Sequence, residues 1–342
     1  LETLYSPLNR IKTLMSTHPV YSQNKEDKPL VSFIITFYNE PVDMLKECVN
    51  SILALSLNET ERQIIVVDDG AEYSPINELL ALSSNIVYVR QPNQGPGQAR
   101  NTGIALAEGR FIQFVDGDDL LLTSAYEQCL DIIRYRETDM VLFQSSDKKT
   151  SKPLADAEGP ISGTEYMTHN NLRGCVWTFL FRKDILHDLR FTKGIFHEDE
   201  EFVPQIMLRA ESIYTTNNKA YYYRKRENST MHKRDKRWHI RRLSDAEQVI
   251  YRLKERVDHL PVKERIAMER RIAQLTMDHI YNVIRLTHDE THLDHVLQRL
   301  SQRGLFPLPD KDYTSKYKWF RRMTNSSFGR KTLIMLLRLN KG

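Results

Sequence analysis

No run of about 18 consecutive apolar residues occurs in this chain, so no segment reads as a membrane-spanning helix. Cysteine is scarce. Cys48, Cys129 and Cys175 are odd in number and show no CxxC spacing, which argues against structural zinc and for a reducing compartment with the thiols packed in a core. There is no internal repeat and no low-complexity tract. Leu1–Met15 lacks the small-residue cleavage site of a secretory leader and reads instead as a short amphipathic helix on Leu4, Leu8, Ile11 and Met15. The glycine-rich turn that a dinucleotide-binding fold places after its first strand is missing as well. Thr36-Phe37-Tyr38-Asn39-Glu40 stands there, which weighs against a nicotinamide enzyme.

What is present is an uneven charge. The net value is only +4. Yet residues 311–342 hold five Lys and four Arg against Asp312 alone, a balance of +8. Residues 219–242 hold ten basic residues against Glu227 and Asp235, again +8, which leaves −12 for the rest. Two basic zones on an acidic body imply anionic partners, such as a phosphate-bearing ligand or a membrane surface. The interleaved strand aromatics of an RNA reader are absent, so no nucleic-acid partner is expected.

From residue 29 the pattern alternates. Leu30–Phe37, Gln63–Val67, Ile86–Arg90, Phe111–Val115 and Met140–Gln144 read as buried strands, with helices between them. Unbroken apolar strands alternating with helices predict an α/β fold, doubly wound and mostly parallel, with helices on both faces. The expected division is an N-terminal helix and linker over 1–28, a catalytic domain over 29–235 split near 145, a helical region over 236–310, and a basic amphipathic tail over 311–342.

Acids punctuate the strand ends. Asp68-Asp69-Gly70 follows the second strand, and Asp116-Gly117-Asp118-Asp119 follows the fourth. In an open parallel sheet these ends share one edge, where ligands bind. Like charges gathered there repel one another, and a divalent cation carrying a diphosphate would offset them. Asp116 and Asp118, one residue apart, suit Mg2+ or Mn2+, which need few protein ligands. Leu120-Leu121-Leu122 follows, so this is no EF-hand loop. The Gly95-Pro96-Gly97 turn opens a helix whose free N–H groups can face an anion. Arg100 sits in the first turn, where the helix dipole disfavours a cation, so it should have a ligand or a carboxylate as partner. The acidic run Glu198-Asp199-Glu200-Glu201 reads either as a solvated helix face or as the source of a general base.

Taken in order, FYNE, VVDDG, NQGPGQARN, DGDD and HED resemble the motifs of the family-2 glycosyltransferases of bacterial polysaccharide type. Segments around Trp177 and Tyr221–Arg226 extend the resemblance, which covers roughly residues 29–230. It implies a GT-A fold and an inverting transfer from a nucleoside-diphosphate sugar, with UDP as the expected carrier, to a glycan or lipid-linked acceptor in cell-surface polysaccharide or glycolipid synthesis. By the same resemblance Thr36, Phe37, Tyr38, Glu40, Asp69, Asn93, Arg100, Asp116 and Gly117 would bind the sugar nucleotide. Asp116 and Asp118 would hold the metal, Asp199 beside Glu198 would be the base, and Trp177 and His197 would meet the acceptor. His232 on a basic loop would face the diphosphate. The aromatic and basic tail would sit on an anionic membrane surface, placing the enzyme in the cytoplasm at the inner face of the plasma membrane, or would pack on the helical region. Two other readings stay open. One is a sugar-phosphate nucleotidyltransferase, which would want a glycine-rich basic loop where FYNE stands. The other is a non-catalytic nucleotide-sugar or membrane-binding module.

Overall fold

The computed structural model describes residues 28–149, 153, 157–225 and 236–339. Residues 1–27 of the expected N-terminal helix and linker lie outside these, as do residues 226–235, His232 among them. The first half runs β1 (Val31–Phe37), α1 (Val42–Leu53), β2 (Arg62–Asp68), α2 (Ile76–Leu82), β3 (Ile86–Arg90), α3 (Pro96–Leu106), β4 (Phe111–Asp116), β5 (Leu120–Leu121), α4 (Thr123–Tyr135) and β6 (Met140–Ser146). Next come β7 (Glu158–Ile161), α5 (Gly163–His169), β8 (Phe179–Arg182), α6 (Glu198–Met207) and β9 (Ile213–Tyr222). Five helices follow: α7 (Lys236–Val257), α8 (Val262–Thr287), α9 (Glu290–Gln302), α10 (Ser315–Thr324) and α11 (Ser327–Leu339).

Side chains alternate across the sheet with the two-residue period of strands. Phe33, Ile35, Phe37, Ile64 and Val66 enter the core under α1 and α4, while Ile34, Ile65 and Val67 enter the core under α3 and α6. Helices therefore cover both faces, as the apolar strands predict. Small residues on α3 bring it close to the sheet: a Cβ on Gly103 would lie 2.2 Å from Ile34 Cγ2.

The sheet order is β3-β2-β1-β4-β8-β6-β9-β5, with β7 also on β9. The block β3-β2-β1-β4 is parallel, as expected. The expectation of a mostly parallel sheet holds there and again in the β6–β9 pair. Short β8 inserts antiparallel between β4 and β6, and β5 and β7 pair antiparallel with β9.

Register aligns the parallel block at its carboxyl edge. Thr36 lies beside both Val67 and Asp116, Phe37 beside Asp68, and Asp68 beside Arg90. The acid motifs thus leave the sheet next to one another. Helices α7–α11 form a third core around Val249, Leu253, Ile272, Ile280, Leu293 and Leu300. The basic tail joins it through Tyr317, Phe320, Leu333 and Ile334, so its apolar residues are divided between packing and exposure.

Candidate active site

The second acid pair and the acidic run meet at Arg100. This residue is 4% exposed and is the fifth residue of α3, one place beyond the first turn in which the sequence put it. Arg100 Nη1 donates to Asp199 Oδ1 at 2.7 Å and to Glu198 Oε1 at 3.0 Å, and Nη2 donates to Asp116 Oδ1 at 3.2 Å. Burial works against the charged guanidinium, but Asp199, Asp116 and Glu198 more than offset it and hold its pKa above the ordinary arginine value. The partner expected from the helix-dipole argument is thus three carboxylates, two of them adjacent on α6, 98 and 99 residues away, and one at the end of β4, 16 residues away.

The four acids of α6 are not a solvated face. They occupy the first turn, where the helix dipole favours negative charge. Glu198 and Glu201 are buried, and Arg252 grips Glu201 through two bonds of 2.7 and 3.0 Å. Arg271 contacts Glu200. Asp199 keeps 17% of its side chain open to solvent. Burial pushes its carboxyl well above the usual range; Arg100 opposes this, while Glu198, Asp116 and Glu200 reinforce it. His197 precedes the helix in left-handed backbone, φ 64°, and burial with the charge of Arg242 lowers its pKa to about 4, so it is neutral at pH 7.

The DGDD turn is held from behind. Gly117 N–H donates to Thr36 O at 3.0 Å, and a Cβ at Gly117 would lie 2.9 Å from that oxygen. Asp119 is 1% exposed and accepts from Tyr221 O–H at 2.9 Å and from Arg224 N–H at 2.8 Å. The Tyr221 hydroxyl in turn accepts from Asp116 N–H at 3.1 Å, and Arg224 Nε donates to Asp118 O at 2.8 Å. Asp119 is therefore a clasp between the turn and β9. Burial, then Asp116 and Asp118, raises its pKa from 3.8 to about 8. An unfolded carboxyl would ionise near 3.8, whereas the folded one keeps its proton until about 8. The unfolded state then binds fewer protons across that window, and stability falls as pH rises through it. Thermal melts of the metal-free protein from pH 5 to 8 should show this decline, and Asp119→Asn should flatten it; an equal slope in both proteins would refute the assignment.

Asp68 and Asp69 also organise backbone. Asp68 accepts from Ala71 N–H at 2.7 Å and from Tyr88 O–H at 2.6 Å. Asp69, 4% exposed, accepts from Gln91 Nε2 at 2.7 Å, Gln94 N–H at 3.0 Å and Gly95 N–H at 2.8 Å, tying the glycine-rich loop to the end of β2. Gly70, directly after them, is obligatory: its φ is +79°, and a Cβ would lie 2.7 Å from Asn93 N.

Of the remaining expected contacts, Tyr38 and Asn93 are exposed, Thr36 and Glu40 are half-buried, and all four stand near the strand edge. Phe37 stands differently. Its side chain is 2% exposed and packs in the core, so only its carbonyl, which accepts from Asp69 N–H at 2.9 Å, faces the edge. Trp177 stacks on Tyr221 at 4.4 Å and on Tyr223 at 5.6 Å, forming an aromatic wall beside Asp119. Arg271 and Arg252 were not singled out from sequence, and Tyr221 was noted only as part of the Tyr221–Arg226 segment. The strand period placing Tyr221 inward was readable; the two arginines have partners 71 and 51 residues away that no local pattern reveals.

The acidic excess around Arg100 fits a hard divalent cation. Among the described residues no group of three His, Cys, Asp or Glu could hold a metal by itself.

Residues 32–190 match the family model described as glycosyl transferase family 2. Over 219 residues the chain is 33% identical to the uncharacterized glycosyltransferase EpsJ of Bacillus subtilis (strain 168), covering 59% of this chain and 62% of EpsJ. It is 31% identical over 211 residues to the minor teichoic acid biosynthesis protein GgaB of the same organism, covering 58% of this chain and 23% of GgaB. The matches thus span less than two thirds of either relative. Among solved structures, S. aureus TarS 1-349 in complex with UDP-GlcNAc superposes with a TM-score of 0.65 at 19% identity, over 90% of this chain and 89% of that one. This likeness is one of fold, and it bears out the expected GT-A-like α/β architecture with a C-terminal helical region.

Proposed function

We propose that this chain, which through residues 32–190 belongs to glycosyl transferase family 2, moves a sugar from a nucleoside-diphosphate donor to an acceptor hydroxyl with inversion. The observation that carries the proposal is the Arg100 bridge, which ties the strand-end acid Asp116 to Asp199 in one half-buried cluster. A donor site and a base must lie side by side for a single displacement, and this bridge holds them so.

In the proposed reaction Asp199 takes the proton of the acceptor hydroxyl. The freed oxygen forms a bond to the anomeric carbon as the bond from that carbon to the phosphate oxygen breaks, and the leaving diphosphate keeps the electron pair. The raised pKa of Asp199 makes it a stronger base than an ordinary carboxylate. Asp116 and Asp118 would hold Mn2+ or Mg2+, which when bound supplies Lewis-acid stabilisation of the diphosphate. Asp69 shapes the loop that would cover the nucleoside, with Thr36, Tyr38, Glu40 and Asn93 around it. Trp177 and His197 would line the acceptor side. UDP is the carrier we favour, because TarS of similar fold binds UDP-GlcNAc, and GgaB supports a cell-surface polymer as acceptor.

A thermal-shift screen of nucleoside diphosphates and their sugars, with and without Mn2+, tests the proposal. One nucleotide should raise the melting temperature selectively and more strongly with Mn2+, because a ligand that binds only the native state stabilises it. No shift with any nucleotide would end the reading.

The outer faces of the last two helices support a place on an anionic membrane. Phe328 is 82% exposed, Met335 65% and Trp319 51%, interleaved with Lys316, Arg322, Lys331 and Arg338. No helix among the described residues is long and apolar enough to cross a membrane. Sedimentation with phosphatidylglycerol vesicles should retain the protein at low salt and release it at high salt. Phe328→Ser should weaken retention severalfold; no retention at low salt would end the membrane reading.

A further inference from the structure

The first turn of α6 is held from two sides. Arg100 takes Glu198 and Asp199 from the sheet side. The next two acids are taken by the C-terminal helices: Glu200 by Arg271 of α8, and Glu201 by Arg252 of α7. Arg271 is 3% exposed, and its Nη1 also donates to Leu172 O at 2.7 Å. Its neighbours do the same work on the same loop. Arg270 Nη1 donates to Thr168 O at 2.8 Å, and Gln274 Nε2 to Leu172 O at 3.2 Å. That loop leads from α5 to Trp177. Gly174 within it lies against the Glu200 carboxylate, where a Cβ would be 2.2 Å from Cδ. Glu200 is thus wedged between the Trp177 loop and Arg271.

A helix–helix seam needs no buried arginine. Ion pairs of this kind contribute little net stability, and apolar residues often replace them without loss. They do fix geometry, because a guanidinium meets a carboxylate and a carbonyl only in set directions. We propose that Arg271, seconded by Arg252, is a positioning residue: it sets the aim of Asp199 through Glu200 and fixes the Trp177 loop through Leu172. The helices after residue 236 are then part of the catalytic unit and not an appended scaffold. The inference rests on the reading of Asp199 as the base.

The test uses the described chain at full length, with the sugar nucleotide that shifts its melting temperature most and with water as acceptor. Turnover is followed by release of nucleoside diphosphate, and affinity for UDP by calorimetry. Arg271→Met should lower kcat about 10- to 100-fold, since a displacement near 1 Å costs that much. UDP affinity should stay within about twofold, because the donor edge is untouched. Arg271→Lys should recover most of the loss. A kcat within about twofold of the unmodified protein, or a Lys variant as impaired as Met with equal loss of UDP affinity, would overturn the inference. Should Arg271→Met fail to fold, Arg252→Met, whose side chain is 31% exposed, takes its place. It should lose several-fold in kcat with its melting temperature kept, and unchanged kcat there would also overturn it. Asp199→Asn separates the two ideas: retained turnover in that variant refutes the base, whereas lost turnover beside an unaffected Arg271→Met refutes the positioning role alone.

Discussion

Asp199→Asn should lower kcat by about 10²–10⁴-fold, the usual contribution of a positioned general base. Asparagine keeps the shape and still accepts a hydrogen bond from Arg100, so the nucleotide edge should survive and UDP affinity should change little. The pH profile carries a second signature. Asp199 must be ionised to act, so activity falls as pH falls through its pKa. Burial raises that pKa, so the acid limb of kcat/KM should lie above the ordinary carboxylate value of about 4. The limb should vanish from the residual activity of the variant. Full activity in Asp199→Asn, or loss of nucleotide binding together with turnover, would remove the base from the account.

The second large effect is on stability. Arg100→Met leaves Asp116, Glu198 and Asp199 gathered without their shared cation. Breaking a buried ion pair by removing one partner costs about 3–5 kcal/mol, so chemical denaturation at pH 7 should show a loss of that order. The sign of its pH dependence follows. Arg100 opposes the rise of the Asp199 pKa, so without it Asp199 gains its proton more readily in the folded state and the deficit should shrink as pH falls toward 5. A deficit below about 1 kcal/mol, typical of an exposed pair, would mean that the cluster is solvated and that Arg100 does not organise it.

How much of this was legible depends on the range of each signal. The strand-end acids were readable because a short apolar run followed by Asp-Asp or Asp-Gly-Asp fixes both the element and its exit. The shared edge then followed from parallel pairing, and the register of Thr36 with Asp116 bears it out. Arg100 was readable as an oddity, a cation at a helix N-terminus, although its partners were not. The inward side chain of Phe37 was legible from the strand period, since Phe33, Ile35 and Phe37 share one face, which is the core face. The antiparallel entry of β8 was out of reach, since a strand of four residues, three of them apolar, carries no sign of its direction. The acidic run was ambiguous for the same reason that its arginines were invisible. Arg252 and Arg271 lie on amphipathic helices, where a basic residue ordinarily faces water. The helical region looked separable in sequence, and its contacts with α6 and with the loop before Trp177 tie it to the site.

The central claim is that a donor held at the acidic strand edge is attacked once, from the side of Asp199. The stereochemistry of the first product tests it most directly. Proton NMR during turnover of an α-linked nucleotide sugar should show the β-anomer forming first, before mutarotation mixes the two. An α-configured initial product would mean two displacements or a front-side route, and would contradict the assignment of Asp199 as the base of a single displacement.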